Sequence, residues 1–132
     1  MSILIGLHVA RALKRKMDII KAVGDRIFPI VAKQGVEKFP FIMYDTNGGS
    51  GTKTKDGLLE DVATVSLSVV AKTYSEALEI GNAVRYALDG YCPTYEEFRV
   101  RSTGNIVYND EYIGDIDAFS LNLSVEFKTE DF

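Results

Sequence analysis

The chain has 132 residues, 26% of them charged and 46% hydrophobic; that suits one globular domain burying roughly two-thirds of its unfolded surface, and excludes wholesale disorder and fibrous composition. A net charge of −4 and a sequence pI near 5.0 argue against a dedicated nucleic-acid binder, so no sequence-specific nucleic acid is expected as a partner. The single cysteine, Cys92, excludes an internal disulfide and a thiolate metal cluster within one chain, and is expected to be a small buried hydrophobe.

Met1 to Leu13 carries no charged leader and no apolar run reaches the roughly 18 residues of a spanning helix, so a cytosolic product without membrane contact is expected. A helix is predicted over Ile3 to Ala22, with Leu13, Met17 and Ile20 on one stripe, Arg11, Lys14, Asp18 and Lys21 on the others, and Gly24 as its stop. Ser2 is a candidate cap, and Gly6 weakens the first turn. His8, the only histidine, has no cysteine or spaced carboxylate beside it, which predicts a partly buried or surface histidine and not a ligand. Eight of the fifteen basic residues and three of the nineteen acids fall before residue 39, leaving that part at +5 and the remainder at −9. Such asymmetry suits head-to-tail contact between copies, with Arg11, Lys14 and Arg15 as candidate contact residues; the competing reading is the wet side of a helix.

Two short strands bounded by proline follow, one closed by Pro29 and one at Phe41 to Tyr44 after Pro40, both expected toward sheet edges. Between Asp45 and Glu60 the chain is too poor in apolar side chains to be held by a core, which predicts a long flexible Gly-rich loop over about 45–60, either functional or disordered. In the functional version Asn47, Gly48, Gly49, Gly51, Lys53 and Lys55 would order against a partner or a neighbouring copy. The loop is no phosphate cradle, because Thr52 separates Gly51 from Lys53 where that motif needs glycine and lysine contiguous.

From Val62 to Ala71 apolar residues alternate with Thr64, Ser66 and Ser68, the pattern of a half-buried strand. Thr73 then stands three residues before Glu76, as in a capping box, and Ala77, Ile80, Gly81, Val84, Ala87, Leu88 and Tyr91 line one helical face up to Gly90 and Pro93. Phe98 to Arg101 and Asn105 to Tyr108 flank Ser102-Thr103-Gly104, which predicts a tight hairpin. The acids Asp110, Glu111, Asp115 and Asp117 match no calcium-loop spacing and read as a solvated turn. Phe119, Leu121, Leu123, Val125 and Phe127 close the chain as a long strand with one covered face. The sum is an α+β fold in one domain over residues 1–132: a mainly antiparallel sheet with two helices packed on one side. No cofactor is implied, and no nucleophile and base stand in a recognisable pattern.

Val23-Gly24-Asp25-Arg26-Ile27-Phe28-Pro29, then Phe39-Pro40-Phe41-Ile42-Met43-Tyr44, then Thr64 to Ala71 followed by Thr73-Tyr74-Ser75-Glu76-Ala77 and Val84 to Gly90, in this order, resemble the tail-completion proteins of long-tailed bacteriophages and prophages, also called tail terminator or minor tail proteins. The resemblance implies a small α+β subunit that forms a ring, expected to be hexameric, on the last ring of the tail tube. That ring would stop tube growth, meet the head-completion or connector protein, let DNA pass through, and reside in the virion after assembly in the host cytoplasm. The Gly-rich loop would order on docking or lie toward the lumen. An alternative without the resemblance is a non-enzymatic adaptor that binds a protein or peptide at an open sheet edge, motivated by Phe41 to Tyr44. An enzyme built on Asp110 to Asp117 is the third and weakest reading.

Overall fold

The computed structural model describes residues 3–29, 38–53 and 59–132. It begins with two helices where the periodicity predicts one: α1 over Ile5–Lys14 and α2 over Met17–Val23. Lys16 between them is extended (φ −97°, ψ 117°). The break has a packing cause. Steps of three and four from Leu13 would carry Lys16 and Ile20 inward, whereas the interruption rotates the second helix so that Ile19 and Val23 are buried instead. Gly24 ends α2 at φ 62°, as the sequence predicts. Ser2, the candidate cap, lies outside the described residues, and Leu4 occupies the cap position without a side-chain hydrogen bond.

Strand β1 (Ile27–Pro29) pairs in parallel with β2 (Phe41–Lys53), which runs antiparallel to β3 (Leu59–Ala71). Most of the expected Gly-rich loop is therefore strand: β2 continues past Tyr44 through a register shift between Thr46 and Gly49, and Lys53 faces Leu59. Backbone pairing with β3 organises the segment without apolar side chains, because the ladder uses only N–H and C=O groups. Residues 54–58 lie outside the described residues.

The strand-to-helix joint follows the sequence closely. Thr73 caps α3 (Tyr74–Leu88), its hydroxyl accepting the Glu76 N–H at 3.3 Å, and Ala77, Ile80, Gly81, Val84, Ala87 and Leu88 are buried as predicted. Gly81 is a requirement of contact: a Cβ there would overlap the end of Leu121 and lie 3.0 Å from its Cγ. The predicted hairpin at Ser102 to Gly104 is instead a pair of bulges, between Val100 and Ser102 and between Thr103 and Ile106, inside one strand, β4 (Phe98–Ile113). The reversal comes at Gly114 to Asp117, where Asp117 adopts φ 49°, and β5 (Ala118–Asp131) returns along β4. A three-residue link reads as a turn, but it cannot reverse the chain when β5 pairs along both of its flanks.

The sheet order is β1-β2-β3-β5-β4, antiparallel except for β1. All three helices pack on one face, over a core formed by Val65, Leu67 and Val69 of β3 and Leu123, Val125 and Phe127 of β5. The opposite face carries a small apolar cluster of Phe41, Val70 and Ala118 with Phe28, Phe39 and Met43 against it, and hydroxyl, amide and charged side chains such as Ser68, Asn122, Glu111 and Glu126. Phe41 to Tyr44 is not an edge: Ile42, Met43 and Tyr44 pair with β1 on one side and β3 on the other.

Candidate interaction surfaces

Catalytic candidates do not converge. His8 is fully buried, deeper than the sequence suggests, stacked on Tyr91 and edge-on to Tyr95 and Phe127, with Nδ1 2.8 Å from the Tyr95 hydroxyl. Desolvation, with the Arg15 charge as a lesser cause, lowers its pKa to about 4, so the ring is neutral near pH 7. Its Nε2 has no hydrogen-bond partner among the described residues. Cys92, expected inside, is exposed. Among the described residues no three His, Cys, Asp or Glu side chains group as metal ligands, and no helix is long and apolar enough to cross a membrane.

The acids divide between faces because a strand alternates. Asp110 lies on the helix side and accepts a hydrogen bond from the Tyr74 hydroxyl at 2.6 Å, which raises the tyrosine's pKa. Glu111 lies on the opposite side and accepts one from Asn122 Nδ2 at 3.1 Å. Asp115 and Asp117 occupy the turn, as predicted, and Asp117 accepts from the Tyr112 hydroxyl. Paired carboxylate chemistry needs convergence, and these groups are held apart by strand geometry.

The basic candidates sit on α1 and, for Arg15, at its C-terminal cap. Arg11 lies over the Tyr95 ring (5.0 Å to the centroid) and Arg15 over Tyr91 (3.6 Å), while an Arg15 guanidinium N–H donates to the Ala87 carbonyl at 3.0 Å. Arg15 thus serves the C-terminal end of α3, where carbonyls lack intrahelical partners and a cation is favoured. Lys14 is exposed. Asn47, Gly48, Gly49, Gly51 and Lys53 fall along the distal half of β2, and Lys55 lies outside the described residues. The two sets therefore occupy different elements.

Two further surfaces emerge only in three dimensions. An open groove of about 450 Å³ runs between α3 and β4, floored by Leu121 and Leu123 and walled by Leu78, Asn82, Ile106 and Tyr108. Ile106, Tyr108 and Tyr112 alternate along β4, a period-two signal that the hairpin reading hid by stopping the strand at Tyr108. On the helix-free face, Ser68 and Ser120 both donate to Asn122 Oδ1 at 2.8 Å, and Asn122 Nδ2 donates to Asn109 at 3.0 Å, a network across three strands.

The chain matches a family model described as "Tail completion protein gp17" over residues 8–129. In three dimensions it is similar to a chain of a solved structure described as "Virion of native gene transfer agent (GTA) particle", with a TM-score of 0.80 and 16% identity, covering 92% of this chain and 91% of that one. No curated protein matches it in sequence. The match over residues 8–129 shows that the chain belongs to the tail completion protein family, as a structural protein of the phage virion tail.

Proposed function

We propose that the protein works as a tail terminator: copies assemble into a ring, six to the ring, on the end of the tail tube, stop its growth and offer the exposed side to the head connector, with DNA passing through the centre. The chain acts as one domain and without catalysis. The observation that carries this reading is the family match over residues 8–129. The scatter of His8, Cys92 and the acids over separate environments supports an assembly role over a chemical one. Arg11, Lys14 and Arg15 on α1 and its C-terminal cap, Asn47, Gly48, Gly49, Gly51 and Lys53 of β2, and Lys55, which lies outside the described residues, are proposed contacts to neighbouring copies or to the tube.

Purified protein added to polymerising tail tubes should bind one end and shorten the length distribution, and the bound species should have the mass of a hexamer. Unchanged tube length with no end-binding would refute the terminator role. The adaptor alternative loses its motivating feature, since Ile42 to Tyr44 of the Phe41 to Tyr44 strand are paired on both sides.

A further inference from the structure

We infer, resting on the ring reading above, that the groove between α3 and β4 receives the outward side of α1 from the next copy of this chain. Across the sheet, α1 packs on β2 and β3, and α3 on β3 and β5; Phe98 and Val100 at the start of β4 belong to the core, and the strand from Ile106 onward reaches beyond this helix layer. Its helix-side residues stay wet as a result: Tyr108 is 68% and Tyr112 50% exposed. Large aromatics flanking an apolar floor are the usual anchors of a protein contact, and an additional helix over β4 is the element this sheet lacks.

The outward side of α1 has the matching pattern. Leu4, Leu7, Arg11 and Lys14 recur at steps of three and four, and Leu7 is 51% exposed. This stripe is apolar at its N-terminal end and basic at its C-terminal end. The groove is apolar at Ile106 and Tyr108 and acidic toward Asp110, which is held by Tyr74, with Asp117 held by Tyr112 beside the same aromatic cluster around Phe119. Arg85, the base in the lining, lies over Tyr86 of its own helix, 5.4 Å from the ring centroid. Scale agrees as well. Leu7 to Lys14 spans about 10 Å along a helix, and Ile106 to Asp110 about 13 Å along a strand.

The two patches also differ in kind and place. Gly6 of α1 sits beside Tyr44 of β2 and Arg11 lies over Tyr95 next to the start of β4, so the donor stripe crosses the sheet, whereas the groove opens farther along β4 at Ile106 and Tyr108. A helix stripe meeting a groove is a contact between unlike patches, and repeated head to tail it closes as a ring when its rotation closes and runs on as a filament when it does not. Basic against acidic margins would fix the register of that contact.

The test places Leu7→Cys and Tyr108→Cys in a full-length Cys92→Ser chain and treats it with a short bis-maleimide, both in solution and on tail-tube ends. The expected result is a ladder of linked copies up to the closed ring for the double variant, and no linked species for either single-cysteine chain. Efficient dimers from a single-cysteine chain would indicate a two-fold contact and overturn the pairing. Absence of a ladder in both settings would overturn it too; if the wild-type protein still capped tubes, the terminator role would survive and only this pair of surfaces would fall.

Discussion

Strands β5 and β4 are neighbours of similar length, yet they have opposite fates. Leu121, Leu123, Val125 and Phe127 of β5 are buried, whereas no residue of β4 between Arg101 and Ile113 is. Both strands carry apolar side chains at period two. The difference is a lid: α3 lies over β5 and β3, and the helix layer covers Phe98 and Val100 at the start of β4 but not the strand from Ile106 onward. Folding free energy is thereby concentrated in the centre of the sheet, while Ile106, Tyr108 and Tyr112 remain available for contact between molecules. Burial, and not strand pattern, separates a core residue from an exposed one here.

Four measurements sharpen or break that contrast. Phe127→Ala should cost about 3–5 kcal/mol, since it removes a fully buried ring from beneath the helices, whereas Tyr108→Ala should leave stability within about 0.5 kcal/mol. Equal losses of denaturant midpoint would mean that β4 is as much core as β5. Next, His8 should make the covered side sensitive to acid. Its folded pKa, about 4, lies below the ordinary 6.5, so the unfolded chain binds the proton first; stability should fall by about 3 kcal/mol as pH drops from 6.5 to 4 and level off below. Comparing His8→Leu with wild type across that window isolates the effect, and parallel stability curves would contradict it.

Gly81→Ala pits a gain of about 1 kcal/mol in helix propensity against overlap with Leu121, and a net loss of about 1–2 kcal/mol is expected. Leu121 borders the groove, so Gly81→Ala should cost less in a Leu121→Ala background than in the wild-type chain; strict additivity in a double-mutant cycle would show that the two positions do not press on each other. Smallest, Thr73→Ala should cost about 1 kcal/mol by leaving the Glu76 N–H without its hydroxyl partner, and should leave tube capping unchanged. A change in capping would place the start of α3 within the contact surface.

Much of the covered region was legible in the residues. The Val62 to Gly90 joint and the alternation of β5 depend on local periods, a cap and a left-handed glycine, which short-range sterics and side-chain spacing dictate. The Gly-rich stretch and the Ser102 to Gly104 link misled for one shared reason. Their conformation is set by a partner strand distant in sequence, β3 for the former and β5 for the latter, and backbone pairing leaves little trace in side-chain chemistry. The break between α1 and α2 was hidden likewise, because the requirement to bury Ile19 and Val23 comes from what lies beneath them.

The interaction surfaces divide along the same line. Arg11, Lys14 and Arg15 stand out in the charge distribution, but only the fold reveals that Arg11 and Arg15 lie over Tyr95 and Tyr91 and that Arg15 also serves the end of α3. By itself the order of residues determined the helix and strand periods, the α+β class and the likeness to tail-completion proteins, since each is written in neighbouring side chains. The tertiary structure alone decided that the later part of β4 lies outside the helix layer and that a groove opens beside it, because both follow from how much of the sheet the packed helices can cover.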